Sequence, residues 1–452
     1  MKAGQPDIID EKLITEVQSS INDRNSKYLS RLIDRLRPAD LADLIEHLKP
    51  EERLYLFEML DPEGAGEVLV EIEGPVQESI LSDLDNSAIT EIVQELDSDD
   101  AADVVGDLPA SRAKDIIETL EDDISDELEK LLPYEEDSAG GIMALEYVAV
   151  RDHSSIQEAI NIIKEKREEV ENLYYLWVVD DFGRLVGVVS LKDLVLEPSD
   201  RLIREIMNSE VISVDVHRDQ EEVAQLVKKY DLVSIPVVDE YNNLVGRITH
   251  DDIIDVLEEE ADEDISLMAG VMHQEITEES YVKISKARLP WLIAGLCGGL
   301  MAALVINRFE NSIEKLIALA FFFPVIMAMG GNTGTQAATV AVRGLATGDI
   351  SLVNVWKRLW VEMKVAMANG IICGIILGTV VYIWIGNIGL GCVISVALML
   401  IIIISGFIGA AVPLALKRLN IDPALATGPF VTTSNDILSL LIYLGLVTAF
   451  LR

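Results

Sequence analysis

The chain has 452 residues, with 77 Asp and Glu against 36 Lys and Arg, for a net charge of −41. The charge is divided unevenly: the residues up to Ser280 hold 71 acidic and 24 basic side chains, whereas Tyr281 to Arg452 holds 6 and 12. So acidic a front excludes nucleic-acid binding, because phosphate contacts need the opposite sign, and its natural ligands are cations.

The first element in chain order is a repeat. Leu36, Leu48, Leu60, Ile72, Leu84, Leu96, Leu108 and Leu120 recur every 12 residues, usually followed by a Pro, Asp or Ser turn signal and an apolar pair. Each repeat is one short amphipathic helix, too small to bury its own apolar face, so the helices must stack into a right- or left-handed solenoid-like coil. After Pro133 the pattern becomes a duplicated α/β unit. Val178 to Val195 (V-V-D-D-F-G-R-L-V-G-V-V-S-L-K-D-L-V) aligns with Val237 to Ile254 (V-V-D-E-Y-N-N-L-V-G-R-I-T-H-D-D-I-I) at an offset of 59. Each copy reads helix, strand, tight turn, strand and a helix opened by Ser190 or Thr249 as N-cap. Over about residues 140–257 this resembles a tandem pair of cystathionine-β-synthase-type (CBS) regulatory domains. That fold often holds a nucleotide between its units; ATP is the candidate regulator, with no adenine or phosphate signature to fix its residues.

Behind the pair, Glu258 to Gly270 (E-E-E-A-D-E-D-I-S-L-M-A-G) continues the helix opened near Asp251 and leads to the first of several apolar segments. Leu289 to Asn307, Leu316 to Val342 and the 52-residue run Val365 to Leu416 contain no Asp, Glu, Lys or Arg, and Pro423 to Leu451 contains only Asp436. Since roughly 20 apolar residues span a bilayer, the longest run must be two helices. Five spans result, at about 289–308, 316–343, 362–385, 389–416 and 424–450. Lys283, Lys286, Arg288, Arg343, Lys357, Arg358, Lys417 and Arg418 fall on one side of these spans, and Arg308, Lys315 and Arg452 on the other. The positive-inside rule then makes the acidic front cytoplasmic and the C-terminus extracytoplasmic, in a multi-pass protein of the inner (plasma) membrane. No signal peptide is expected at the N-terminus. Cys297, Cys373 and Cys392 all lie in spans without C-x-x-C spacing, so they are read as small packing residues.

Two membrane segments carry groups that lipid-facing helices do not need. Pro324 to Gln336 (P-V-I-M-A-M-G-G-N-T-G-T-Q) puts proline, glycines and amides in the second span. Irregular backbone at that depth is tolerated only where protein buries it or a wet cavity lines it, whereas close helix packing would also select small residues. The amides of Asn332 and Gln336 favour pore lining, with Gly331 and Asn332 as its residues. In the fifth span Gly428, Thr432 and Asp436 share one helical face, offering a backbone carbonyl, a hydroxyl and a carboxylate to a passing ion. A carboxylate in hydrocarbon costs at least about 2.5–3.5 kcal/mol, so it must face an aqueous path or a partner. Oxygen-only ligands select hard cations, and a C2 dimer would place two Asp436 carboxylates about one axis for a largely hydrated divalent ion such as Mg2+.

The order of acidic helical repeat, CBS pair, acidic connecting helix and five spans, with G-G-N-T-G-T-Q, R-G-L-A-T-G-D and D-P-A-L-A-T-G-P-F-V-T-T-S-N-D, resembles the MgtE magnesium channel family over nearly the whole chain. The resemblance implies a homodimer in the lipid bilayer, a pore lined mainly by the second and fifth spans, and Asp436 as its ion-binding carboxylate. It further implies cytosolic Mg2+ sites that hold the pore shut when the ion is plentiful. By matching motif, the candidates are Asp99 and Asp103, then Asp219, Glu221 and Asp231. They continue with Asp252, Asp255, Glu260, Glu263, Asp264 and Asp422. Thr335, Gly428 and Thr432 depart from some relatives.

The expected fold is multidomain: an all-α helical-repeat domain (1–135), two α/β CBS domains (136–200 and 201–257), an acidic connecting plug helix (258–282) and a five-helix transmembrane domain (283–452). The expected function is a magnesium-selective channel or transporter and not an enzyme. No phosphate loop, H-E-x-x-H spacing or nucleophile with a His partner supports a tethered enzyme. Proton- or sodium-coupled transport stays open beside the channel reading, since membrane carboxylates also serve proton relays. An anion channel with regulatory CBS domains is disfavoured by Asp436.

Overall fold

The computed structural model describes residues 9–72, 74–166, 173–271, 280–348, 350, 355–419, 421–426 and 428–450, and the chain divides into two compact units, Met1–Glu258 and Glu259–Arg452. In the first unit come ten helices: α1 (Glu11–Asn22), α2 (Ser26–Ile33), α3 (Pro38–Glu46), α4 (Pro50–Phe57), α5 (Pro62–Val70), α6 (Gly74–Asp83), α7 (Asn86–Val93), α8 (Ser98–Gly106), α9 (Ala110–Ile117) and α10 (Asp122–Leu131). From α2 onward each begins 12 residues after its predecessor. Local chemistry sets that interval. Pro38, Pro50 and Pro62 occupy first-turn positions where a missing N–H costs nothing, and the Asp61 and Asp85 side chains cap α5 and α7 by accepting from Gly64 N (3.1 Å) and Ala88 N (2.8 Å). Helices this short bury their apolar faces only in series. Alternate helices pack on one another, α3 on α5, α5 on α7 and α7 on α9, with α4 on α6 and α8 on α10, so the expected coil has two helices per turn. Leu44, Leu56, Leu69, Leu81 and Ile89 fill its axis.

The duplicated unit follows as β1 (Ala149–Arg151), α11 (Ile156–Glu165), β2 (Tyr175–Val179), β3 (Leu185–Ser190) and α12 (Leu191–Leu196), then β4 (Val214–Asp215), α13 (Gln220–Tyr230), β5 (Ser234–Val238), β6 (Leu244–Thr249) and α14 (His250–Ala269). Both sheets are three-stranded, a parallel pair followed by an antiparallel one, and their registers are copies: Tyr175 faces Ser190 and Ser234 faces Thr249. The turn position is also duplicated. Gly183 has φ of +84° and its counterpart Asn242 has φ of +65°. The two copies interlock there, since Leu185 N donates to Asn242 O and Asn242 Nδ2 to Leu185 O, both at 2.9 Å. The second copy shares one hydrophobic core with the helical repeats, while the first has its own around Val150, Leu176 and Val189. Ser190 caps α12 as expected, accepting from Asp193 N at 3.2 Å. At α14 the capping runs in reverse: Asp252 Oδ2 accepts from Thr249 N (2.9 Å) and from its hydroxyl (2.8 Å). The acidic connecting stretch is the second half of α14, which stops at Ala269 where Gly270 takes φ of +71°. Part of the segment expected to be the plug helix, residues 272–279, lies outside the described residues.

The second unit is built from α15 (Tyr281–Arg308), α16 (Glu310–Lys315), α17 (Phe323–Ala346), α18 (Val355–Ile385), α19 (Ile388–Arg418) and α20 (Pro429–Phe450). Five of its helical segments are long and apolar enough to cross a membrane: Tyr281–Arg308, Ile317–Ala346, Val355–Ile385, Ile388–Arg418 and Phe430–Phe450. The second of them begins with a 3-10 turn, Ile317–Phe322, and becomes α-helical just before Pro324, whose ring suits a first helical turn. The irregular backbone expected further along, through Gly330–Gly334, is absent, and those glycines stand in regular helix. α17 and α19 carry the buried centre, including Ile326, Ala338, Ile394 and Ile401, against Tyr443 and Leu444 of α20. Of the cysteines only Cys373 packs against this core; Cys297 and Cys392 are exposed on the single chain, contrary to the packing role read from sequence.

Candidate functional site

The intramembrane carboxylate stands at the junction of α17 and α20. A Cβ at Gly331 would lie 3.4 Å from Asp436 Oδ1 and 3.4 Å from Thr432 Cγ2, an ordinary contact distance, so the Thr432–Asp436 face of α20 packs directly on α17 at this glycine. Asp436 is half-buried, and among the described residues no donor or cation stands against its carboxylate. Asn332 and Gln336, one turn apart on α17, are exposed, as is Thr432. Thr432 Oγ1 donates weakly to Gly428 O at 3.4 Å, tying together two of the three stripe residues. The cytosolic end of the stripe is approached by the end of α14. A Cβ at Gly428 would stand 3.4 Å from Met268 O and 3.5 Å from Leu267 O.

The small residues of α17 meet different parts of α20. Gly330 lies against Ser439, and Gly334 against Asn435 and Val431 of α20. Asn435 and Ser439 are both fully buried, and their side-chain polar atoms have no hydrogen-bond partner among the described residues. Gly331 is buried against the Thr432–Asp436 face of α20, and Asn332 beside it is exposed. The same sequence motif therefore serves close approach to α20 at Gly330, Gly331 and Gly334, and leaves the Asn332 amide exposed.

A second acidic cluster lies within the first unit, where α8 meets the start of α14. Asp99 is buried, and its carboxyl is pushed well above the usual range by burial and then by the charges of Asp100, Asp252 and Glu146. Asp100 is pushed up to about 7, again by burial first, with Asp252, Asp97, Glu146 and Asp255 adding to it. Burial also raises Asp252, although its hydrogen bonds from Thr249 pull the other way. Glu146 reaches across 48 residues of sequence to hold the first turn of α8: Oε1 accepts from Ser98 N (3.1 Å) and Oε2 from Ser98 Oγ (2.8 Å), while Ser98 Oγ accepts from Leu145 N (2.8 Å). Like charges are thus held together in a partly dry contact, an arrangement that a proton or a cation would relieve.

Other sequence candidates are placed singly. Asp103 is exposed on α8, and Asp255 is exposed on α14 one turn after Asp252. Asp219 caps α13, with Oδ1 accepting from Glu221 N (3.0 Å) and Glu222 N (3.4 Å), and Glu221 Oε1 accepts from Gln225 Nε2 (3.1 Å). Asp231 closes the same helix in the left-handed conformation, φ +52°, so Asp219 and Asp231 flank an 11-residue helix about 16 Å long and cannot share one ion. Glu260, Glu263 and Asp264 fall on neighbouring positions of the α14 surface. Asp422 Oδ1 accepts from Ala424 N (2.8 Å) ahead of α20. Among the described residues, no group of three His, Cys, Asp or Glu side chains is arranged to hold a metal.

Comparison with known proteins bears on this arrangement. Residues 323–446 match the MgtE family model, described as a divalent cation transporter; residues 36–137 match the MgtE intracellular N domain, and 139–200 and 203–259 match the CBS domain. The magnesium transporter MgtE of Bacillus subtilis is 41% identical over 323 residues, which is 71% of either chain. The chain belongs to the MgtE family. The magnesium transporter MgtE of Thermus thermophilus is likewise 41% identical over 329 residues, 72% of this chain and 73% of that one. A crystal structure of the cytosolic domain of the Mg2+ channel MgtE in complex with ATP superposes with a TM-score of 0.51 at 37% identity, covering 54% of this chain and 100% of its own. MgtE proteins are transporters, and the chain is not an enzyme.

Sequence reasoning missed Asp100 and Glu146. Asp100 is adjacent to a named candidate and could have been included through the S-D-D run. Glu146 carries no local signal, because its role depends on where the segment after the repeats returns.

Proposed function

We propose that the chain is a magnesium channel or transporter that admits Mg2+ to the cytosol along a path lined by α17 and α20, and that cytosolic Mg2+ closes it. The observation that carries the reading is the Asp436 carboxylate, half-buried against Gly331 with no donor or cation beside it among the described residues, and bordering the open face that carries Asn332 and Thr432. An unneutralised carboxylate at that depth is tolerated where it meets water and a passing cation. Mg2+ gives up its waters reluctantly, so Asp436 would act mainly on a hydrated ion, with Thr432, Asn332 and the Gly428 carbonyl accepting or donating to its water shell. The open face on a single chain is completed by a second copy about a two-fold axis, which brings two Asp436 side chains to one ion. The magnesium transporters of B. subtilis and T. thermophilus, so similar over most of the chain, support the choice of ion.

Gating follows from charge. The front carries 71 acidic against 24 basic side chains, and divalent ions between carboxylates favour whichever arrangement brings those carboxylates together. Asp99, Asp100, Asp252, Asp255 and Glu146 are one place where that applies, and Glu260, Glu263 and Asp264 with Asp422 are further candidates. The end of α14, whose Leu267 and Met268 carbonyls reach Gly428, is the element that would close the cytosolic mouth. ATP between the CBS copies is a candidate regulator, as the complex of the related cytosolic domain suggests.

The test is current from the purified protein in liposomes, wild type beside Asp436→Ala, with cytosolic-side Mg2+ stepped from low to high millimolar. Divalent current that is lost in the variant and suppressed by cytosolic Mg2+ is expected. Current that persists in Asp436→Ala removes the ion site from this residue, and flux only under a proton or sodium gradient replaces the channel with coupled transport.

A further inference from the structure

The cytosolic end of α18 carries a surface that neither ion conduction nor helix packing uses. Trp356 and Trp360 are 74% and 61% exposed, and Lys357 and Lys364 are exposed beside them. At about 100° per residue, these four side chains fall within an arc of about 100° on one side of the helix. Neither lysine has an ion-pair partner among the described residues. The neighbouring Arg358 is different: its Nη2 stands 3.2 Å from Glu362 Oε2, both side chains are largely buried, and the pair lies on another side of the helix. One basic residue of this turn is thus neutralised internally while two project outward with a pair of indoles.

Lys364 sets the depth of this surface. It lies seven residues, about 10 Å, along the helix from Lys357, and the 52-residue uncharged run begins at the next position, Val365. An amine at that boundary extends back toward the headgroups, where the Trp356 and Trp360 rings also belong. A plain aromatic belt would account for the indoles. It does not account for two unpaired ammonium groups on the same arc, one of them at the edge of the hydrocarbon, which call for an anion at headgroup level.

We propose that this arc of α18, formed by Trp356, Lys357, Trp360 and Lys364, is a docking site for an anionic phospholipid of the cytosolic leaflet, whose phosphodiester lies between the two lysines and whose upper chain runs beside the indoles. Charge complementarity and depth select a lipid rather than a soluble anion, because Lys364 borders the apolar run. The inference uses the membrane reading of the second unit and is independent of which ion the pore carries.

The experiment is tryptophan quenching of the full-length protein in phosphatidylcholine vesicles containing either brominated phosphatidylglycerol or brominated phosphatidylcholine, with W356F/W360F identifying the local component. Two lysines at about 1 kcal/mol each near the surface correspond to a preference of about 30-fold for the anionic lipid at this site. K357Q/K364Q should reduce it to near unity, and K357R/K364R should keep it. Both pairs lie on an exposed face, and unchanged elution as the wild-type assembly checks their fold. Equal quenching by the two lipids in the wild type would leave only an aromatic belt. Quenching insensitive to W356F/W360F would mean that another surface, such as a second copy, covers the arc. A preference that survives K357Q/K364Q would place the anion elsewhere. Each of these results overturns the proposal.

Discussion

Asp100→Asn tests the charge argument at the α8–α14 contact directly. The carboxyl of Asp100 is raised from 3.8 to about 7, chiefly by burial and then by Asp252, Asp97, Glu146 and Asp255. A carboxyl raised on folding keeps its proton longer in the folded state, so its contribution to stability is fully present below pH 3.8 and is lost as the pH rises through about 7. At about 1.4 kcal/mol per unit, the penalty is about 4 kcal/mol at pH 8 and about 2 kcal/mol at pH 5. The amide variant carries no such penalty, and the contact should tighten by about those amounts, far more at the higher pH. The measurement is native-state amide exchange of Ala101 to Val105 in the full chain without divalent ions, corrected for the intrinsic effect of pH, because a single unfolding transition is not defined for so divided a protein. Added Mg2+ should recover protection in the wild type at pH 8 and do much less in Asp100→Asn. Protection that is independent of pH between 5 and 8, or a variant that loosens the contact at pH 8, would refute the idea that like-charge crowding governs this interface.

Glu146→Ala removes the acceptor that caps α8 through Ser98, so it should weaken the same amides by about 1 kcal/mol at pH 5, and by less at pH 8, where deleting a negative charge offsets the lost cap. A methyl at Gly331 would stand 3.4 Å from Asp436 Oδ1, an ordinary contact, so Gly331→Ala should retain most divalent flux in liposomes while Gly331→Val reduces it by roughly tenfold or more through obstruction. Asn242→Ala must hold φ near +65° with a Cβ and loses the amide bond to Leu185 O, so it should increase local opening at Leu185 by about 1–3 kcal/mol, read by exchange, with Asn242→Gly costing less. Asn435→Leu replaces a buried amide whose polar atoms have no partner among the described residues, so resistance to unfolding in mixed detergent should rise by about 1–3 kcal/mol, and a fall would show that the amide is satisfied in the bilayer.

The repeat was legible because its signal is local. Pro38, Pro50 and Pro62 start helices by their own ring geometry, and the 12-residue interval carried that reading through the rest of the array. The CBS copies were legible for a related reason, since the 59-residue offset preserves strand register and even the positive-φ turn, with Gly183 replaced by Asn242. Asp436 could be singled out because a lone carboxylate in a long apolar segment has few structural explanations. Glu146 could not, because capping α8 depends on a contact formed 48 residues away. The glycines of α17 were ambiguous in principle: close packing and close approach to an ion path both select the missing side chain, and only the angular position on the helix separates Gly330 and Gly334 from Gly331.

That angular separation explains how the carboxylate is held. Asn435 and Asp436 are consecutive on α20 and therefore about 100° apart around its axis. Asn435 is fully buried against Gly334, and Ser439, one turn on, is fully buried against Gly330. Rotation of α20 toward α17 would drive Asp436 into the contact at Gly331, and rotation away would separate Asn435 and Ser439 from the two glycines that admit them. Gly334 is itself bounded on its other side, since a Cβ at Gly409 of α19 would stand 3.0 Å from Gly334 Cα. The orientation of Asp436 is accordingly fixed by three glycine contacts away from its carboxylate, together with Gly331, which lies against it. Enlarging Gly330 or Gly334 should therefore impair conduction by displacing a helix, whereas enlarging Gly331 should impair it by obstruction. Only the former should also lower the stability of the membrane unit.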